Sequence, residues 1–347
     1  MTEITRIGMD TSKSVFQLHG VDAAEQVVLR KKLRRQDVLK FFAKLPPCRV
    51  GMEACGGSHY WARELQALGH QVELIPPQYV KPYVPRGKTD AADAEGICEA
   101  MSRPKVRQRL VPVKSAETQA ALMLAGLRER LVRQRTQLIN TIRGYASEFG
   151  LVAAKGPAKI TALLRRIEED PTVPETARAL FAELACEHAR LEVQVEAADT
   201  RLMAWHRQDE ASRRLAEIPG IGPVGATILV LRAPEPQRFG SGRDFAAWIG
   251  LTPKNHNTAG KQRLGGITRA GDEALRSQLV VGATSVIRQV SRGTSRSAPP
   301  WLLDLVARKP AKLAAVALAN KIARIAWKLM VSGERYRPQP AAATLGA

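Results

Sequence analysis

The period of the apolar positions changes once along the chain, from strand-like to helical. Short apolar runs come first: Arg6-Ile-Gly-Met9, Val15-Phe-Gln-Leu18, Gln26-Val-Val-Leu-Arg30, Arg49-Val-Gly-Met52 and Gln71-Val-Glu-Leu-Ile75. Each is of strand length and bounded by polar or glycine-bearing connections. Between them, Val38, Phe41 and Phe42 give Gln36–Ala43 helical spacing, and Gly56-Gly57-Ser58 opens a helix to about Leu68. The order βββαβαβ, with a further helix to follow, predicts a mixed sheet with helices packed on it.

From Ser115 the pattern is helical. Leu124, Leu127, Leu131, Leu138 and Ile142 form one stripe, and Arg128, Arg130, Arg133, Arg135 and Arg143 fill the other faces. After the break Asp170-Pro-Thr-Val-Pro174 a second long helix runs to Trp205, with Leu180, Leu184, Leu191, Val195 and Leu202 apolar, as in a coiled-coil arm. Leu215–Leu229 then reads as helix, Pro-Gly-x-Gly turn, helix, and Val316–Met330 as a late helix. The fold class expected is α/β plus α. An α/β domain with an Arg-rich terminal helix spans 1–150, a helical, coiled-coil linker 151–210 and a mostly helical domain 211–335. A Pro/Ala-rich tail, 336–347, is expected to be disordered.

Charge narrows the class of partner. Against 33 acids stand 53 Lys and Arg, a formal net charge of +20, and a surplus of this size attracts a polyanion by counterion release. Aromatics are only 5% of residues, which argues against a stacking platform of the single-strand-binding type. Cys48, Cys55, Cys98 and Cys186 form no C-x-x-C pair, so neither a zinc site nor a disulfide framework is expected. With no signal segment and no apolar run of membrane-spanning length, the expected location is the cytoplasm, away from membranes.

The chemistry sits at element ends. Asp10 closes the first strand, Glu53 closes the fourth, and "GKTDAADAEGI" places Asp90 and Asp93 on one face of the next helix's first turn. Four carboxylates converging there suit two Mg²⁺ ions and phosphodiester chemistry. Glu95 rivals Asp93 as the fourth ligand, and Lys88 is placed to meet a phosphate. Taken singly, each acid has an ordinary use, in a turn or at a helix N-terminus; the joint pattern is what points to a metal. The basic segment Arg30-Lys31-Lys32-Leu-Arg34-Arg35 and the cationic helix, which lacks acid partners at i,i+4 spacing, point to nucleic-acid backbone. The Gly220-Ile-Gly222 turn resembles a helix-hairpin-helix, whose amides take a phosphate. In "HNTAGKQRLGG", Lys261 and Arg263 make a basic glycine-rich turn fit for the same purpose.

The segments "GMDTSKSVFQLHG", "GMEACGGSHYWA", "GKTDAADAEGI", "IPGIGPVGA", "DFAAWIGLTPK" and "GKQRLGGITRAGDEALR" occur in this order. Together, over about residues 5–335, the chain resembles the insertion-sequence transposases of the IS-one-ten family, nearest its IS-eleven-eleven branch. The resemblance implies a RuvC-like RNase H-fold domain whose DEDD acids, here Asp10, Glu53, Asp90 and Asp93, bind Mg²⁺. It implies a C-terminal transposase domain with a serine nucleophile. It implies a homo-oligomer, dimer or tetramer, guided by a non-coding bridge RNA that pairs with target and donor double-stranded DNA. Asn257 stands where related sequences carry that serine. A carboxamide cannot form a phosphoserine-type intermediate, so three explanations stand: an engineered inactivation, a naturally inactive copy, or Thr258 in the nucleophile's place. Two rivals remain, a RuvC-like junction nuclease using the metal site alone, and a non-catalytic nucleic-acid-binding protein.

Overall fold

Five strands, β1 (Arg6–Asp10), β2 (Val15–Val21), β3 (Val27–Arg34), β4 (Arg49–Glu53) and β5 (Gln71–Ile75), form one sheet in the order β3-β2-β1-β4-β5. The computed structural model describes residues 3–84, 89–154, 156–257, 263–294 and 298–338. The chain divides into two compact units, Met1–Gln119 and Ala120–Ala347. The sequence pattern instead suggests cuts at 150 and 210.

In the first unit, β1 and β2 are antiparallel, as are β2 and β3, while β1, β4 and β5 run parallel. The mixed sheet is therefore as expected, except that β3 extends to Arg34 and absorbs the basic segment. The helices are α1 (Val38–Phe42), α2 (Ser58–Ala67), α3 (Pro77–Val80), α4 (Asp90–Ser102) and α5 (Pro104–Arg107). Alternation sorts the side chains by face. Ile7, Met9, Phe16, Leu18, Val50 and Met52 are buried with Val38, Phe42, Trp61 and Leu65 of α1 and α2. Fully burying one such side chain stabilises the fold by roughly 1.5–3 kcal/mol.

The opposite face is built for contact with α4. A Cβ at Gly8 would lie 2.2 Å from the Ala94 carbonyl oxygen, and one at Gly51 would lie 2.4 Å from the Met101 sulfur. Glycine at these two strand positions lets the helix rest on bare backbone. Ile97, Ala100 and Met101 of α4 then pack with Ile75, Val80 and Val106.

α6 (Ala116–Glu148) leads into the second unit, followed by α7 (Ile160–Glu169), α8 (Glu175–Gln208), α9 (Glu210–Leu215), α10 (Pro223–Arg232) and α11 (Gly242–Ile249). After a hairpin, β6 (Pro253–Asn255) and β7 (Leu264–Ile267), come α12 (Glu273–Ser291), α13 (Pro300–Arg308) and α14 (Ala311–Ser332). Leu131, Leu138 and Ile142 of α6 share a core with Ile160, Leu163 and Ile167 of α7 and with Leu191 and Val195 of α8. A second core joins Leu202, Leu215, Leu229, Phe245, Leu279, Ile322 and their neighbours. Neither α7 nor the β6–β7 hairpin is anticipated by the pattern. Leu127 and Leu180, read as stripe residues, are exposed at 43% and 56%; each sits at the margin of its helix's buried arc. Of the tail, only residues up to 338 are described.

Candidate functional site

β1 and β4 pair in parallel with Gly8 beside Gly51. Two residues further on, the same alternation brings Asp10 and Glu53 to one end of the sheet, on the face that carries α4. α4 starts where Thr89 accepts a hydrogen bond from the Ala92 amide at 3.2 Å, which places Asp90 and Asp93 in its first turn. Carboxylate oxygens of Asp10, Asp90 and Asp93 lie within 4.8 Å of one another. Burial, and then the negative charges of Asp93, Asp90 and Glu53 in that order, push the Asp10 carboxyl up to about 6. Three of the four predicted acids thus converge, while Glu53 acts on Asp10 through its charge and lies outside that group of three. Glu95 is exposed, and its charge acts on His19 instead; Asp93 takes the cluster position for which the two were rivals.

The cluster fits a hard divalent cation. Its donors are all carboxylate oxygens, with no histidine or thiol among them. Burial raises Asp10 most, and the repulsion that adds to it is what a bound cation relieves. The helix N-terminus offsets part of that repulsion for Asp90 and Asp93.

In the second unit, Asn257 lies exposed two residues past β6, at the start of the loop whose far side is Arg263. There the His256 amide donates to the Arg263 carbonyl oxygen at 2.9 Å. The base of the hairpin is held by tight backbone packing. Gly250 and Gly271 adopt left-handed backbone conformations, and a Cβ on either would lie 2.1 Å from Ala270 oxygen or 1.9 Å from Trp248 oxygen. Asp272 caps α12 by accepting from the Leu275 amide at 2.9 Å and pairs with Arg232. The Thr268 amide closes the hairpin base on the Thr252 carbonyl at 2.8 Å. Arg263 is exposed; Thr258 and Lys261, and Lys88 beside the acids, lie outside the described residues.

Residues 7–149 match the DEDD transposase domain of the IS110 type, described as "Transposase", and residues 212–297 match "Transposase IS116/IS110/IS902 family". A putative transposase y4pF/y4sB of Sinorhizobium fredii is 64% identical over 96% of this chain and 86% of its own. The chain belongs to the IS110/IS116/IS902 family of transposases. The probable family 20 transposase of Pseudomonas aeruginosa is 48% identical over 96% of this chain and 99% of its own. The transposase of insertion element IS1111A from Coxiella burnetii is 36% identical over 97% and 92%. As a transposase this protein is an enzyme that acts on DNA. No described helix is long and apolar enough to cross a membrane.

The cations of the transposase divide into two groups. Arg30, Lys31, Lys32 and Arg34 stand exposed on β3, an edge strand, with Arg35 just beyond it. Lys31 lies 4.8 Å over the Phe41 ring. Charges in such a row also keep a sheet edge from pairing with other chains. The arginines of α6 differ from expectation, because most have acid partners. Arg128 pairs with Asp199 and Arg135 with Glu192, both on α8, while Arg133 pairs with Glu129 at i,i+4 spacing. Arg143 donates to the carbonyls of Ala154 and Gly156 at 2.9 and 2.8 Å. The α8 acids lie some sixty to seventy residues away in the chain, beyond the reach of a local charge count. Arg130 is exposed and makes no ion pair among the described residues.

The Gly220 turn is a packing device. Its φ is +92°, and a Cβ on Gly282 of α12 would lie 1.7 Å from the Gly220 carbonyl oxygen. Gly222 is exposed, with open space around it, at the N-terminus of α10. Gly8, Gly51 and Thr89 position the acid cluster and carry none of its chemistry; glycines inside strand patterns were the available signal.

Proposed function

We propose that this transposase is built to cleave and exchange DNA strands through a serine nucleophile, with Mg²⁺ held by Asp10, Asp90 and Asp93, joined by Glu53, under the guidance of a bridge RNA, and that Asn257 at the serine position leaves this copy inactive. The observation that carries the reading is the convergence of three carboxylates within 4.8 Å around an Asp10 pushed up to about 6. The sheet order β3-β2-β1-β4-β5, with acids ending β1 and β4, supports an RNase H-like, RuvC-type domain. A bound divalent cation supplies Lewis-acid stabilisation of the oxygens that gain charge as a phosphodiester breaks. Asp10, half-buried at the strand end, fixes the centre, and the N-terminus of α4 presents Asp90 and Asp93 to it. Arg30, Lys31, Lys32, Arg34 and Arg35, with Arg130 on α6 and Arg263 at the hairpin, hold sugar-phosphate backbone without reading sequence; base pairing with the guide supplies that. Target and donor duplexes, the guide RNA and an oligomer of this chain complete the assembly.

Asn257, exposed two residues past β6, stands at the nucleophile's position, and the chain as given binds its substrates without forming a protein–DNA ester. Asn257→Ser, assayed for strand exchange with the element's flanking RNA and both DNA partners, should create activity that the parent lacks. Exchange by the parent chain, abolished by Thr258→Ala, would overturn the assignment and make Thr258 the nucleophile. Mg²⁺-dependent cutting by the parent, without RNA and without a covalent adduct, would establish the junction-nuclease alternative that the missing serine favours.

A further inference from the structure

An open cavity of about 740 Å³ lies in the first unit, lined by Lys13, Ser14, Arg34, Arg35, Tyr60 and Trp61 among others. It lies at the end of the sheet that carries the acids, where β2 begins and β3 finishes. Val15 at the start of β2 pairs with Arg34 at the end of β3, and the β1–β2 turn supplies Lys13. Glycines 56 and 57 let α2 begin here, so Tyr60 and Trp61 fall in its first turns.

Two properties coincide in this cavity. The first is uncompensated charge: Lys13, Arg34 and Arg35 are exposed and make no ion pair among the described residues. The arginines of α6 show the contrast, most being tied to acids. The second is an available ring. Trp61 is buried and fixed by edge contacts to Phe16 and Tyr60, with centroids 4.9 and 5.2 Å apart. Tyr60 remains 43% exposed, and the Arg35 guanidinium already lies 4.9 Å over the Trp61 ring. A planar cation and a free aromatic ring beside two further cations match one nucleotide, base on the rings and phosphate on the charges. The volume is within the range of small-ligand sites. A base paired in the interior of a duplex, stacked on both sides, offers no such free face.

We propose that this cavity is a subsite for one unpaired nucleotide of a nucleic-acid strand, stacked on Tyr60 with its phosphates on Lys13 and Arg34. The subsite rests on the reading of the chain as a nucleic-acid-processing transposase and makes no use of the acids or of Asn257. It holds a strand end or looped-out base beside the catalytic end of the sheet.

The test uses the full-length protein and fluorescence anisotropy with three labelled probes: a single-stranded DNA oligonucleotide, the same sequence in RNA, and a blunt DNA duplex. Tyr60→Ala should weaken binding of a single strand about tenfold, within the usual range for one stacked base, and leave the duplex within about twofold. Tyr60→Trp should restore it. Arg34→Ala should lower the salt dependence of single-strand binding by about one phosphate's worth. The single strand that responds, DNA or RNA, identifies the occupant. No change with Tyr60→Ala and Arg34→Ala, or equal losses on all three probes, would overturn the subsite. Because the readout is binding, failure of Asn257→Ser to exchange strands leaves this result standing, and the reverse holds as well.

Discussion

Replacing Asp10 by asparagine should stabilise the metal-free protein while removing its response to metal. Asp10 rises from 3.8 to about 6, so the folded chain holds a proton that the unfolded chain has released across that window. Stability from this site therefore falls as pH rises from about 4 to 6, and the whole deficit is present at pH 7.5. At about 1.4 kcal/mol per tenfold in the protonation equilibrium, the deficit is about 3 kcal/mol, which screening at a partly exposed carboxylate reduces to about 1–2 kcal/mol. The carboxamide keeps the shape and removes the charge, so Asp10→Asn should recover that amount at pH 7.5 in EDTA. Urea unfolding followed by far-UV circular dichroism measures it. Mg²⁺ at ten times its dissociation constant should then stabilise the wild type by about 1.4 kcal/mol and the variant by much less. A variant that is less stable than wild type in EDTA at pH 7.5, or one that gains as much from Mg²⁺, would refute the argument that four carboxylates repel at one cation site.

Gly8→Ala sets a methyl 2.2 Å from Ala94 oxygen, so α4 must lift from β1; a loss of about 2 kcal/mol or more, with loss of Mg²⁺ stabilisation, is expected in thermal unfolding. His59 accepts from the Lys114 amide, and burial, aided by Lys114 and Arg63, lowers it to about 4. Its contribution to stability is complete above pH 6.5 and is lost as pH falls towards 4. The sign is opposite to that of Asp10, so the acid-side loss should steepen in an Asp10→Asn background; an unchanged slope there would count against it. A double-mutant cycle on Arg128 and Asp199 should return a coupling of about 0.5–1 kcal/mol, and none if Arg128 is free for nucleic acid in the unbound protein.

The strands of the first unit were legible because alternation over five to eight residues leaves little choice of face. Asp10, Glu53, Asp90 and Asp93 were legible as carboxylates at element ends. That Asp93, and not Glu95, joins Asp10 was not legible, since both are acids in the first turns of one helix. The choice follows from how α4 lies on Gly8 and Gly51, a contact made by backbone and invisible to a side-chain pattern. The cationic helix misled for a related reason: its partners, Asp199 and Glu192, are remote in the chain, and only folding brings them near. Gly220 is read from the sequence as a phosphate-binding turn, and the fold adds a packing role that no local pattern shows, the approach of α12 through Gly282.

By itself, the sequence determined the strands of the first unit and the long helices, the strong positive charge, the four carboxylates and the asparagine at position 257, because each depends on local period or residue identity. The tertiary structure alone decided which carboxylates share a centre, which arginines remain unpaired, and that Lys13, Arg34, Arg35 and Tyr60 line one cavity. Those facts depend on distances between segments far apart in the chain, and such distances are set by packing.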